Sequence, residues 1–179
     1  MTRRSAMMLT AVAPLLARAA QNQEAPKTRA SPHETVSVNL DGKTITITYG
    51  RPYLKGRHVG DEVAPYGKVW RLGADEATKI TVTAYTLFPN GVEMLPGSYS
   101  LFAIPNKDKW TLIVNKVADQ WGAFKYDASQ DLGRIEIPVR PAMTPVEEFT
   151  ISLDKVETNL AKLQMVWDTA AISTSLKVL

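Results

Sequence analysis

A part of the chain rich in glycine and aromatic residues brings Arg51, Lys55, Arg57 and Arg71 within 21 consecutive residues. An arginine guanidinium offers a planar set of donors that matches a carboxylate or a phosphate. Gly50, Gly56 and Gly73 allow the backbone to turn sharply or a ligand to approach closely. This cluster therefore predicts a binding site for a small anionic or polar molecule.

Each member of the predicted site has a role. Arg51 and Arg71 are the anion clamps, and Glu76 orients an arginine. Tyr49 and Trp70 form walls that are apolar with one polar end. The complete predicted site is Tyr49, Arg51, Lys55, Arg57, Trp70, Arg71 and Glu76. The first interpretation is a non-enzymatic exported domain that binds a small anionic or polar ligand there.

Acidic residues near the cluster support a second interpretation. The four positive charges are balanced by four carboxylates in the same region: Asp61, Glu62, Asp75 and Glu76. Arginines paired with these carboxylates and with loop carbonyls would hold a long loop against the domain. The chain would then be an envelope scaffold or protein-interaction module with purely structural arginine loops and a protein partner.

Histidine gives a third interpretation. The chain has only two histidines, and His58 follows Arg57 directly. With loop carboxylates it can act as an acid or a base, in a hydrolase acting on sugars or peptides. No nucleophile elbow, zinc helix motif, phosphate loop or dinucleotide fingerprint occurs in the sequence. The sequence thus predicts no catalytic residue, metal or cofactor.

The segments around the cluster have the period of β-strands. Ile45, Ile47 and Tyr49 fall on one face of an alternating run, and Ile80 and Val82 on one face of another. Similar runs continue to the end of the chain. They predict an all-β fold for residues 33–179: a single antiparallel β-sandwich or jelly-roll-like barrel of about nine to eleven short strands with little helix.

Three turns or breaks refine this prediction. Asp41-Gly42 and Asn90-Gly91 are pairs typical of two-residue hairpin turns, in which both central residues have positive φ. Pro138 indicates an edge strand or a bulge, because proline has no N–H to donate to a neighbouring strand.

The first 20 residues have the features of a signal peptide. Arg3 and Arg4 precede an apolar run, and Ala17-Arg18-Ala19 forms a cleavage pattern. The arginine pair also fits a twin-arginine signal. Residues 21–32 are predicted to be a flexible tether. We therefore expect a periplasmic or secreted protein.

Charge and cysteine content narrow the function further. Removing the three leader arginines from the 21 basic residues leaves 18, equal to the 18 acidic residues. A neutral domain is not expected to bind nucleic acid. No cysteine is present, so disulfides and thiolate metal sites are excluded. No later apolar run is long enough to cross a membrane, so no span is predicted in the mature chain.

Four motifs make the chain similar to a known bacterial family, the domain of unknown function 2911. They are Ile47–Pro52, Lys55–Arg57, Val69–Thr78 and Leu95–Phe102. The similarity extends over residues 31–179. It implies an exported protein of Gram-negative bacteria, and it implies no activity.

Overall fold

The computed structural model describes residues 28–179, so the predicted signal peptide and most of the predicted tether lie outside the described residues. Ten strands form in this range. They are β1 (His33–Leu40), β2 (Lys43–Gly50), β3 (Thr78–Val82), β4 (Thr86–Leu87), β5 (Glu93–Met94), β6 (Gly97–Ile104), β7 (Lys109–Asn115), β8 (Asp131–Pro138), β9 (Arg140–Glu157) and β10 (Leu160–Val178). Two 3-10 turns, Pro89–Gly91 and Ala128–Gln130, complete the regular structure of the described chain.

Six of the strands form one antiparallel sheet, in the order β1-β2-β3-β6-β7-β8. Asp41 and Gly42 join β1 to β2 with φ angles of 54° and 79°, which confirms the predicted two-residue turn. Because side chains alternate along a strand, Ile45, Ile47 and Tyr49 of β2 all point into the core.

The other four strands form a second antiparallel sheet, in the order β5-β4-β10-β9. Strands β9 and β10 contain 18 and 19 residues and are longer than the short strands that the sequence predicted. Their pairing tolerates irregularities: Asp168, at φ 53°, lies between register shifts on β10. Bulges of this kind let a strand continue past residues that interrupt its alternation.

The core lies between the two sheets and is one continuous cluster. Ile47 and Leu112 come from the six-stranded sheet, and Leu163 and Met165 come from the four-stranded sheet. A smaller cluster lies on the outer face of the six-stranded sheet, where Phe102 and Ile113 are covered by the loop that follows β7. Burial on both faces holds this sheet in place.

The all-β prediction is confirmed, and the ten strands fall within the predicted number. The two sheets face each other as a sandwich and do not close into a barrel within the described range. Pro138 is the last residue of β8, an edge strand, as predicted. Asn90 and Gly91 do lie between two paired strands, but in a longer 3-10 connection. No helix among residues 28–179 is long and apolar enough to cross a membrane.

Candidate functional site

The two glycine-rich segments pack directly against each other. A Cβ atom added at Gly50 would lie 2.3 Å from the carbonyl oxygen of Ala74, and one added at Gly73 would lie 2.9 Å from the oxygen of Gly50. The second segment turns tightly, because Leu72 and Asp75 have φ angles of 53° and 62°. The backbones meet only because both segments have glycine at the contact.

Tyr49 is buried and links the two sheets. Its hydroxyl donates to Glu34 Oε2 at 3.0 Å and accepts from the N–H of Ile151 on β9 at 2.9 Å. Burial, together with the carboxylate of Glu34, raises the pKa of Tyr49 to about 12, although the bond to Ile151 opposes the shift. Tyr49 thus holds the edge of β9 as well as lying in the predicted site.

Arg51 contacts four partners from β1 and β9. Its guanidinium forms ion pairs with Glu34 at 3.1 Å and Glu148 at 3.2 Å. Nε and Nη2 also donate to the carbonyl of Phe149 and the hydroxyl of Thr150. These carboxylates are not the ones near it in sequence. The local structure of Arg51 is that of a residue that holds its loop to the second sheet.

Lys55 and Arg57 lie in the loop after Arg51. Lys55 is exposed at φ 52°, and its backbone N–H donates to the Glu147 carboxylate at 2.7 Å. The Arg57 guanidinium donates to the carbonyls of Leu54 at 2.8 Å and Tyr53 at 3.1 Å. These bonds close the loop on itself, and they leave the Nη1 group of Arg57 without a hydrogen-bond partner in the described chain.

Trp70 belongs to an aromatic cluster within the core. Its ring stacks on Trp167 with centroids 5.4 Å apart, and it meets Phe149 and Trp110 edge to face. The indole N–H donates to the carbonyl of Gly73 at 3.1 Å. Trp110 and Trp167 are both almost completely buried.

Arg71 differs from the other arginines of the cluster. Its Nε atom is buried and has no hydrogen-bond partner in the part of the chain that the structure describes. No ion pair to Arg71 forms there either, and Nη1 lies beside Gly122. A buried donor without a partner costs about 1–3 kcal/mol, so this atom needs an explanation.

A cleft of about 310 Å³ opens beside Arg71 at one end of the sandwich, and we call it the end cleft. Trp70 and Trp167 give it an aromatic wall, and Arg57, Glu62 and Asp75 give it charged groups. The Asp75 carboxylate already accepts the backbone N–H groups of Ala30 and Ser31 at 3.2 Å. Of the seven predicted site residues, three line this cleft: Arg57, Trp70 and Arg71.

Tyr49 and Glu76 line a different cleft, of about 320 Å³, on the outer face of the six-stranded sheet. Glu76 pairs with Arg29 and with His33 Nε2, each at 2.9 Å. Burial disfavours the charged carboxylate, but the hydrogen bonds from Arg29 and His33 outweigh it, so the pKa of Glu76 is lowered. Residues 29–33, at the end of the predicted tether and the start of β1, thus lie between the two clefts.

The partners of these residues were not found from the sequence. Glu34 and Glu148 pair with Arg51 across long stretches of chain, and no local pattern marks either carboxylate. Within residues 28–179, neither Asp61 nor Glu62 forms an ion pair. No group of three His, Asp or Glu side chains in that range is arranged to hold a metal ion.

His58 also has a partner that the sequence did not indicate. Its Nδ1 lies 3.0 Å from Asp168 Oδ2, on the bulge of β10. The same oxygen accepts the backbone N–H of Val59 at 3.2 Å. The separation of 110 positions between His58 and Asp168 explains why a search among nearby loop carboxylates missed this pair.

Together, the fold and the site define an antiparallel β-sandwich whose two glycine-rich segments pack against each other beside an arginine-lined end cleft. The profile of a protein family of unknown function, DUF2911, matches residues 31–176. The chain belongs to this family, which confirms the resemblance in its motifs. No curated protein and no solved structure matches the chain significantly.

Proposed function

We propose that the chain is an exported protein that binds a small anionic or polar ligand in the end cleft. The observation that carries this proposal is the buried Nε atom of Arg71, which has no partner among residues 28–179. A bound carboxylate or phosphate would supply the missing acceptor. Charged hydrogen bonds of this kind are among the strongest that a binding site can form.

The surroundings of Arg71 support a polar ligand of modest size. Arg57 brings a second guanidinium to the cleft, and Trp70 offers an indole edge already fixed by the aromatic cluster. Glu62 adds an exposed carboxylate without an ion-pair partner in the described range. A small carboxylic acid that also carries an amino group would satisfy both signs of charge, and a hydroxyl group in its place would donate a hydrogen bond to Glu62.

A melting-temperature screen tests this function. The purified protein is heated with phosphate, small hydroxy and amino acids, cell-wall fragments and sugars. A ligand at 100 times its dissociation constant is expected to add about 2.7 kcal/mol of stability. Arg71→Met should abolish the shift, while Arg140→Met, at an exposed arginine of β9 outside the end cleft, should retain it.

Two results would overturn the proposal. One is that no probe stabilises the wild-type protein. The other is that the Arg71→Met variant responds to the probes as strongly as the wild type does. Since Met keeps most of the apolar volume of Arg, the variant tests the charge and the donors more than the packing.

Export rests on the leader in the sequence. The full-length chain is expected in the periplasm, with a mature start near Ala20 or Gln21. Changing Arg3 and Arg4 together to lysine should block export if the twin-arginine route is used, and should leave it nearly unchanged if ordinary secretion is used. Recovery of the uncleaved chain from the cytoplasm of wild-type cells would contradict export by either route.

A second candidate function is favoured by Arg51. Its guanidinium contacts two carboxylates, one carbonyl and one hydroxyl, which leaves at most one of its five N–H donors for a ligand. This is what an interaction module with structural arginine loops requires. Such a module would capture a specific envelope protein in a pull-down and would show no melting shift with any small molecule.

A further inference from the structure

His58 and Asp168 form a polar pair outside the end cleft. The His58 side chain is 72% exposed, whereas that of Asp168 is 11% exposed. The contact uses Nδ1 of the imidazole, so Nε2 is not involved in it. A pair with one exposed member contributes little to stability. Its stronger effect is to fix the orientation of the ring and the position of the ring proton.

The bulge of β10 and two hydrogen bonds fix the position of the Asp168 carboxylate. Asp168 interrupts the regular pairing of β9 and β10 and adopts a left-handed φ of 53°, which costs free energy in a residue other than glycine. Its Oδ2 accepts from both His58 Nδ1 and the N–H of Val59. The bulge therefore places a fixed carboxylate behind the imidazole, an arrangement that makes a histidine an oriented base.

The second histidine shows that this arrangement is specific to His58. His33 has Nδ1 3.0 Å from the carbonyl of Ser31 and Nε2 2.9 Å from Glu76. Both of its nitrogens are occupied, and its side chain is only 16% exposed. His33 therefore has no free nitrogen for proton transfer, and it is a matched control within the same chain.

Asp168, which contacts His58, and Val59, which follows it, line a cleft of about 290 Å³; His58 itself is not among the lining residues and adjoins the cleft through these two. Trp110, Val139 and Pro141 give this cleft an apolar side. Tyr66, Asn106 and Lys107 add hydrogen-bond donors to it. A small ester fits this combination: its acyl group can lie on the apolar side, and the donors can stabilise negative charge that develops on the carbonyl oxygen.

We infer that His58, positioned by Asp168, is the general base of a second site that hydrolyses small carboxylic esters. His58 Nε2 takes a proton from a water molecule while the water oxygen attacks the carbonyl carbon. The bond from that carbon to the alcohol oxygen then breaks, and the imidazolium returns the proton to the leaving alcohol. The products are an acid and an alcohol, and no other reactant is needed. His58 is the catalytic residue, and Asp168 is a positioning residue.

The test uses p-nitrophenyl acetate and butyrate with the purified protein. The rate is followed by release of nitrophenol and compared with the rate in buffer alone. His58→Gln should reduce kcat/KM at least about 100-fold, the usual contribution of a general base. His33→Gln should leave it within about twofold of the wild type.

Asp168→Asn separates positioning from folding. Asparagine keeps an acceptor for Val59 and tolerates the left-handed conformation, but it removes the charge that stabilises the imidazolium. We expect a loss of at least about tenfold in kcat, with KM within about twofold of the wild type. A purely structural contact would change the melting temperature without lowering the kcat of the folded variant.

Several results of these measurements would overturn the inference. The inference is overturned if the wild-type rate equals that of buffer, or if His58→Gln hydrolyses the esters as fast as the wild type. It is also overturned if Asp168→Asn stays folded and keeps the wild-type kcat. This cleft and the end cleft share no lining residue, so ligand binding and hydrolysis can fail independently.

Discussion

Arginines of similar sequence context have opposite environments in this protein. The guanidinium of Arg51 meets two carboxylates, whereas the buried Nε of Arg71 meets no acceptor in the described residues. A charge with partners on every side stabilises the fold, while a buried charge without one lowers stability unless something binds to it. The residue type alone therefore does not identify a binding residue.

Arg51→Met should destabilise the protein because it leaves Glu34 and Glu148 close together without their shared cation. Since Arg51 is about a quarter exposed, we expect a loss of about 2–3 kcal/mol in the free energy of unfolding, measured by urea denaturation. Lys109→Met, which breaks the exposed pair with Glu136, should cost less than about 1 kcal/mol. Equal losses would contradict a structural role for Arg51.

Gly50→Ala tests the close contact between the two glycine-rich segments. The new Cβ atom would lie 2.3 Å from the carbonyl oxygen of Ala74, so the backbones must separate. We expect a loss of about 2–4 kcal/mol in thermal or urea unfolding. Gly67→Ala, in open space at φ 72°, adds only conformational strain, at about 1–2 kcal/mol. A smaller loss at Gly50 than at Gly67 would show that the segments are not in contact.

Among the elements, β9 depends on a side chain from the opposite sheet. Ile151 of β9 donates its backbone N–H to the hydroxyl of Tyr49, which belongs to β2. An edge strand normally leaves such groups to water or to another chain. In this sandwich, one buried phenol accepts from Ile151, and the carbonyl of Pro52, in the loop after β2, accepts from Phe149, so these bonds hold the edge of β9 to the opposite sheet.

Tyr49→Phe should cost about 1–3 kcal/mol at neutral pH, because the N–H of Ile151 loses its acceptor. The pKa of Tyr49 is raised from 10 to about 12, so the unfolded chain loses this proton first as pH rises. The contribution of Tyr49 is then complete below pH 10 and is lost towards pH 12. Urea unfolding at several pH values should show the gap between wild type and variant narrowing over that interval, and a constant gap would contradict this assignment.

Local sequence patterns predicted the strands and turns better than they predicted which side chains contact each other. The alternation of Ile45, Ile47 and Tyr49 gave the buried face of β2, and Asp41-Gly42 gave its turn, because both depend on neighbours in sequence. The length of β10 was missed because Asp168 breaks the alternation, and a bulge absorbs that break. Arg51 and Glu148 are joined only when the sheets meet, so no sequence window contains both.

At the scale of the whole molecule, one core serves both sheets. The ring of Trp70, from a loop beside the six-stranded sheet, stacks on that of Trp167 from β10, so neither sheet can bury its aromatic residues alone. Small domains with a single core usually unfold in one step. The cluster of Trp70, Trp110 and Trp167 reports on contact between the sheets, while circular dichroism reports on the strands.

The tryptophan fluorescence and far-ultraviolet circular dichroism transitions should therefore coincide in urea, with one midpoint and one slope. Trp167→Phe, which keeps an aromatic ring in the cluster, should move both midpoints together to lower urea. Two separate transitions in the wild type would show that the sheets are independent units, contrary to the shared core.

The second sheet joins segments that are far apart in sequence. Val178 of β10 pairs with Thr86 of β4, and Leu179 donates to the carbonyl of Tyr85. On the ribosome, β4 and β5 leave the exit tunnel long before the strand that must lie between them and β9. During that interval their apolar sides have no partner, and Met94 and Phe88, both buried in the finished fold, are open to chaperones. The sandwich thus assembles only after synthesis has passed residue 178, which favours binding by holding factors over folding during translation.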